Sequence, residues 1–216
     1  ITATIAALKV NEIRHYIPLS ELIVLTSGGE WVISGVDNSI TPSTIQVKPQ
    51  SYYGSTWLKP IVAGDVAIFM QPGQTVRDLG YKFETDAYSG NDISILARHL
   101  FDRNTIVDWG FAPAPYSILW GVRDDGIIVA QTYLREQEIY GWHRHTTQGS
   151  FKSIASIRED VADISYFLVE RSINSRSVKY IERMDERNFT DIQSAFFVDA
   201  GVKVDTPITI SGFTAA

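Results

Sequence analysis

Apolar residues in this chain gather in short runs set apart by clusters of Gly, Pro, Asn, Asp and Ser, and four times a run, a tight cluster and a second run follow one another. That order predicts β-hairpins. The first joins 21–25 to 30–34 around Ser27-Gly28-Gly29. The second joins 65–70 to 75–81 across 71–74, where Pro72 followed by Gly73 suits a type II turn. The third joins 116–122 to 127–134 across Asp124-Asp125-Gly126, and Asp-Gly is a strong hairpin signal. The fourth joins 164–171 to 177–183 across Asn174-Ser175.

The turn centres fall near residues 28, 73, 125 and 175. A unit recurring roughly every 45–50 residues is what a propeller blade predicts. Further strand candidates at 12–17, 44–48, 57–62, 105–111, 139–145 and 151–157 would bring each unit to three or four strands. The expected fold is therefore all-β, with antiparallel propeller-like blades forming a partial propeller; a β-sandwich is the alternative, since it also spaces short strands evenly. One short helix is expected over 92–101, capped by Asn91 or Asp92, with Ile93, Leu96, Ala97 and Leu100 on one face.

Composition narrows the function classes. The chain has 216 residues, 44% hydrophobic and 20% charged, with no cysteine, so thiolate metal sites, thiol nucleophiles and disulfide scaffolds are excluded together. No apolar run approaches the length of a membrane-spanning helix, and the first residues lack the pattern of a signal peptide. A net charge of −6 argues against a dedicated nucleic-acid binder, because that affinity rests on Lys and Arg neutralising phosphates.

The segment richest in potential chemistry is Trp142-His143-Arg144-His145. On a strand His143 and His145 share a face and could ligate a metal, but no third ligand follows at a recognisable spacing, and a packed histidine pair is the expectation. Asp124-Asp125 and Asp185-Glu186 are the paired acids, and the first pair is expected to serve its turn. Thr26-Ser27-Gly28-Gly29 has the glycines of a turn without the lysine of a phosphate loop, and Asn188-Phe189-Thr190 is a glycosylation triplet without secretory context. Most aromatics lie in predicted strands; Tyr52-Tyr53 and Tyr140-Gly141-Trp142 are the exposed candidates, for subunit contacts or carbohydrate stacking. No catalytic residue, cofactor-binding residue or metal ligand is predicted.

Several strings are distinctive as text: LTSGGEWVISG at 25–35, ITPSTIQV at 40–47, and TYLREQE at 132–138 with WHRHTT at 142–147. RSIN at 171–174, VKYIER at 178–183 and AFFVDAG at 195–201 follow in order. Together they resemble the tail nozzle proteins, or tail tubular protein B type, of short-tailed bacteriophages. The resemblance implies an internal fragment of a longer chain, with propeller blades over 1–190 and the start of a further β domain over 191–216. It also implies a structural virion protein in the tail, assembled in the host cytoplasm as a ring of six that forms the distal part of the DNA-ejection channel. Its expected partners are a tail adaptor, tail fibres or spikes, DNA passing without specific binding, and the host surface. An acidic balance suits such a conduit, since a basic lumen would hold DNA. A propeller binding module for carbohydrate or protein is the second expectation.

Overall fold

The computed structural model describes residues 11–36, 39–185, 191–192 and 198–202. The described residues up to Met184 belong to one compact unit, and those from Asp185 onward to a second. Of the further β domain expected over 191–216, only 191–192 and 198–202 lie within the described residues.

The first unit is all-β and antiparallel. Strands β1 (Ile13–Pro18), β2 (Leu22–Thr26), β3 (Glu30–Ser34) and β4 (Gln46–Ser51) form sheet 1 in chain order. Sheet 2 follows with β5 (Ile61–Ala63), β6 (Val66–Gln71), β7 (Thr75–Lys82) and β8 (Ala87–Ser89). Sheet 3 holds β9 (Ile106–Ala112), β10 (Ile118–Arg123), β11 (Ile128–Leu134) and β12 (Ile139–His145), and sheet 4 holds β13 (Ser150–Glu159), β14 (Ala162–Ile173) and β15 (Arg176–Arg183). All four expected hairpins form, as β2–β3, β6–β7, β10–β11 and β14–β15.

The turns obey local rules. Gly73 has φ 90°, the positive value a type II turn needs at that place, and Gln74 adds a second positive φ that makes the loop three residues long. Asn174 and Ser175 both lie at positive φ, matching the twist of the strands they join.

Why the sheets stack can be read along their second strands. Every residue of β10 is buried, as are five of the six in β6. A strand covered on both faces reads as an unbroken apolar run rather than an alternating one. Successive side chains of a strand point to opposite faces, so Ala67 and Phe69 enter a core with Ile23 and Leu25 of sheet 1, while Ile68 and Met70 enter a core with Leu119 and Val129 of sheet 3. On β10 the other parity, Ile118, Trp120 and Val122, packs against Phe167 and Val169 of sheet 4. Three apolar cores thus separate four sheets.

Carboxylates stitch the last two of these interfaces. Asp78 of β7, buried, accepts hydrogen bonds from Tyr133 Oη of β11 (3.1 Å) and from the Asn91 backbone N–H (2.7 Å). Asp108 of β9 accepts from Ile154 N of β13 (2.9 Å), and Asp163 of β14 from Ala114 N (2.7 Å).

One expectation is met in part and one needs correction. The short helix expected over 92–101 forms as a 3-10 helix, Ile95–Leu100, broken at Ala97 (φ −126°, ψ 26°). Asp92 does hold its start, accepting from Ser94 N and Ser94 Oγ, but Ile93, Ala97, Leu100 and Phe101 turn inward while Leu96 is 93% exposed. With two 3-10 turns in place of α-helical winding, the 3.6-residue periodicity that grouped Leu96 with them does not hold. The strand expected at 57–62 is shortened to Ile61–Ala63, because β6 pairs only those three residues and Pro60 has no N–H to donate.

A repeat links sheets 2 and 3. Tyr81, Glu84, Asp86 and Tyr88 recur 52 positions on as Tyr133, Glu136, Glu138 and Tyr140. In both places a three-residue 3-10 turn ends in a left-handed acid, Asp86 or Glu138, and the two tyrosines pair across the strands.

Glu30, fully buried at the start of β3, carries a pH prediction. Burial pushes its carboxyl up, partly offset by hydrogen bonds from Ser51 Oγ (2.6 Å), Tyr53 N (3.2 Å) and the Gly54 backbone and by the charge of Arg77. The folded state therefore binds this proton more tightly than the unfolded chain, so stability falls as pH rises from the ordinary carboxylate range through the raised folded value. Glu30→Gln should flatten that decline, measured as urea midpoints across the acid-to-neutral range.

Candidate functional site

The histidine pair sits on β12, opposite Ala130 and Ile128 of β11. This register turns both rings to the face that carries Trp120. Their centroids are 5.0 Å apart; His145 lies 5.2 Å and His143 6.4 Å from the Trp120 ring, which meets Phe167 of sheet 4 edge-on at 5.5 Å. The pair belongs to an aromatic wall between sheets 3 and 4. Among the described residues no group of three His, Asp or Glu side chains could hold a metal ion.

Asp124 and Asp125 serve their turn. Asp125 pairs with Arg123, which holds its carboxyl below the usual range, and accepts from Ile127 N; Asp124 accepts from Asn104 Nδ2 (3.1 Å). Gly126 has φ 79°, and a Cβ there would lie 1.9 Å from Ser150 Oγ, so glycine alone fits. Glu186 and the 188–190 triplet lie outside the described residues. Gly28 and Gly29 close the β2–β3 hairpin, with Thr26 N bonded to Gly29 O.

The aromatic candidates divide. Tyr140 and Trp142 were expected on the surface, yet both pack on the core between sheets 2 and 3. Trp142 meets Phe101 edge-on at 4.8 Å and donates its indole N–H to Ile93 O (2.7 Å). Alternation along β12 forces this, since the strand has apolar cores on both faces. Tyr52 and Tyr53 are exposed, with the Arg77 guanidinium 3.5 Å from the Tyr53 ring centre.

Two further surfaces emerge only from the fold. The first is the outer face of sheet 4. Phe167 and Val169 point inward, which leaves Leu168, its partner Ile181, Ala155 and Ile157 on the far side; Ile181 is 78% and Ile157 50% exposed. Sheets 1 to 3 have four strands each, sheet 4 has three among the described residues, and β15 ends it with an open ladder edge. An apolar row beside an open edge is what a neighbouring sheet or subunit covers.

The second is a groove of about 870 Å³ between β9 and the segment leading from sheet 1 into β5. Trp57, Lys59 and Pro60 line one side, Val107, Asp108 and Trp109 the other. Both bordering strands are first in their sheets, each paired on one side only. The signal for it was present as Trp57, hidden by its assignment to a strand.

No protein-family model matches the chain, and no curated protein is similar to it at a significant level.

Proposed function

We propose that this chain is a structural part of the tail nozzle of a short-tailed bacteriophage, its stacked sheets being consecutive blades of a β-propeller. In that reading it sits in a ring of six at the distal end of the DNA-ejection channel and meets a tail adaptor and tail fibres or spikes. The observation that supports it most is the ordered set of resembling strings, of which 25–35 covers the end of β2, its turn and β3, and 132–138 with 142–147 covers the end of β11, its 3-10 turn and most of β12. The exposed apolar face of sheet 4 and, among the described residues, the open edge of β15 suit contact with a neighbouring subunit.

Electron microscopy with a gold-labelled antibody against this chain, on particles of the phage carrying the gene, tests the reading. Label at the far end of a short tail is expected. Unlabelled particles, with an antibody shown to bind the native protein, would overturn it.

A further inference from the structure

We propose that the groove between β9 and the 56–60 segment is a saccharide-binding site in which Trp57 is the platform for a pyranose ring. Trp57 is held in place yet left open. The Arg14 guanidinium lies 5.5 Å from its ring centre and the His15 ring meets it edge-on at 6.2 Å. Both neighbours are tied to the backbone beside it, Arg14 through Ser55 O and His15 Nε2 to Thr56 O at 3.2 Å. Even so the indole is 59% exposed. An aromatic ring fixed by two partners and still bare presents a flat apolar face to a ligand, and the C–H face of a sugar ring is its natural complement.

One wall supplies a hydroxyl partner and the other an apolar surface. Lys59 is exposed, and its carbonyl accepts the Trp109 indole N–H, which anchors the segment carrying it. Across the groove Val107 and Trp109 form an apolar wall, since Asp108 between them turns its carboxylate to Ile154 N of β13 (2.9 Å) on the sheet 4 side. Glu12 lies 3.9 Å from Arg14 and offsets its charge, and with an apolar wall opposite Trp57 a neutral sugar is favoured over a strongly ionic ligand.

The same contacts argue against an extended peptide. Strand addition would use the free edge of β9, but the Trp109 N–H on that edge is already taken by Asp108. The groove lies within the first compact unit and does not depend on the tail assignment.

The test uses the whole 216-residue chain, fluorescently labelled, on an array of neutral, amino and acidic glycans, with an extended apolar peptide library as the competing probe. Retention of a subset of neutral glycans is expected, weakened about tenfold or more by Trp57→Ala, or roughly 1.4 kcal/mol. Trp57→Phe should keep part of the binding and Lys59→Ala should lose part. Circular dichroism of each variant separates lost contact from lost folding. A blank array, binding confined to peptides or acidic glycans, or neutral-glycan binding unchanged in a folded Trp57→Ala variant would each overturn the proposal. The array reads the isolated chain and the gold label reads the particle, so the two proposals fail independently.

Discussion

Replacing Trp120 by alanine is expected to lower the unfolding free energy by about 3–5 kcal/mol, the range for an aromatic ring removed from a packed core. Trp120 is 3% exposed on β10 and belongs to the core between sheets 3 and 4. It meets both histidines of β12 and Phe167 of β14. The void would be hard to fill, because β10 is clamped by ladders to β9 and β11 and cannot shift toward sheet 4. Urea unfolding measures the loss as a lower midpoint at unchanged slope, and a loss below about 1 kcal/mol would show that the wall is loosely packed.

Arg123→Ala should cost about 3 kcal/mol, through a different cause. The Arg123 side chain is nearly buried and donates to Leu100 O (2.9 Å), to Asn104 Oδ1 (2.8 Å) and to the Asp125 carboxylate. Removing it strands acceptors that water reaches poorly, at about 1–3 kcal/mol for each buried group left unsatisfied. Lysine should not rescue the loss, since a single ammonium cannot replace a planar fork that serves three partners. Equal stability of the lysine variant and the native chain would refute this account.

Both residues lie where the sequence was easiest to read in outline and hardest in detail. The four hairpins were legible because turn residues mark them locally, and β12 was placed at its actual limits, Ile139–His145. Apolar runs such as 118–122 announced burial but not which parity faced which neighbour, so the aromatic wall stayed invisible until sheets 3 and 4 were seen together. The short strand β8 was missed because Ala87-Tyr88-Ser89 carries no periodic signal, only a cross-strand match to Tyr81. The short helix at 95–100 was legible in place but not in winding, because caps and apolar spacing do not encode a break at Ala97. The groove around Trp57 needed two sheets to exist at all.

The serial order of the sheets bears on how the unit responds to perturbation. Each sheet is joined by a core only to the one before and the one after it. Such an architecture behaves as a one-dimensional array whose cooperativity passes from neighbour to neighbour. Asp78, Asp108 and Asp163 act as couplers between adjacent members. Damage at one end therefore reaches the other only through every intervening link, and a sheet can change its outward surface while the far members of the array keep their structure.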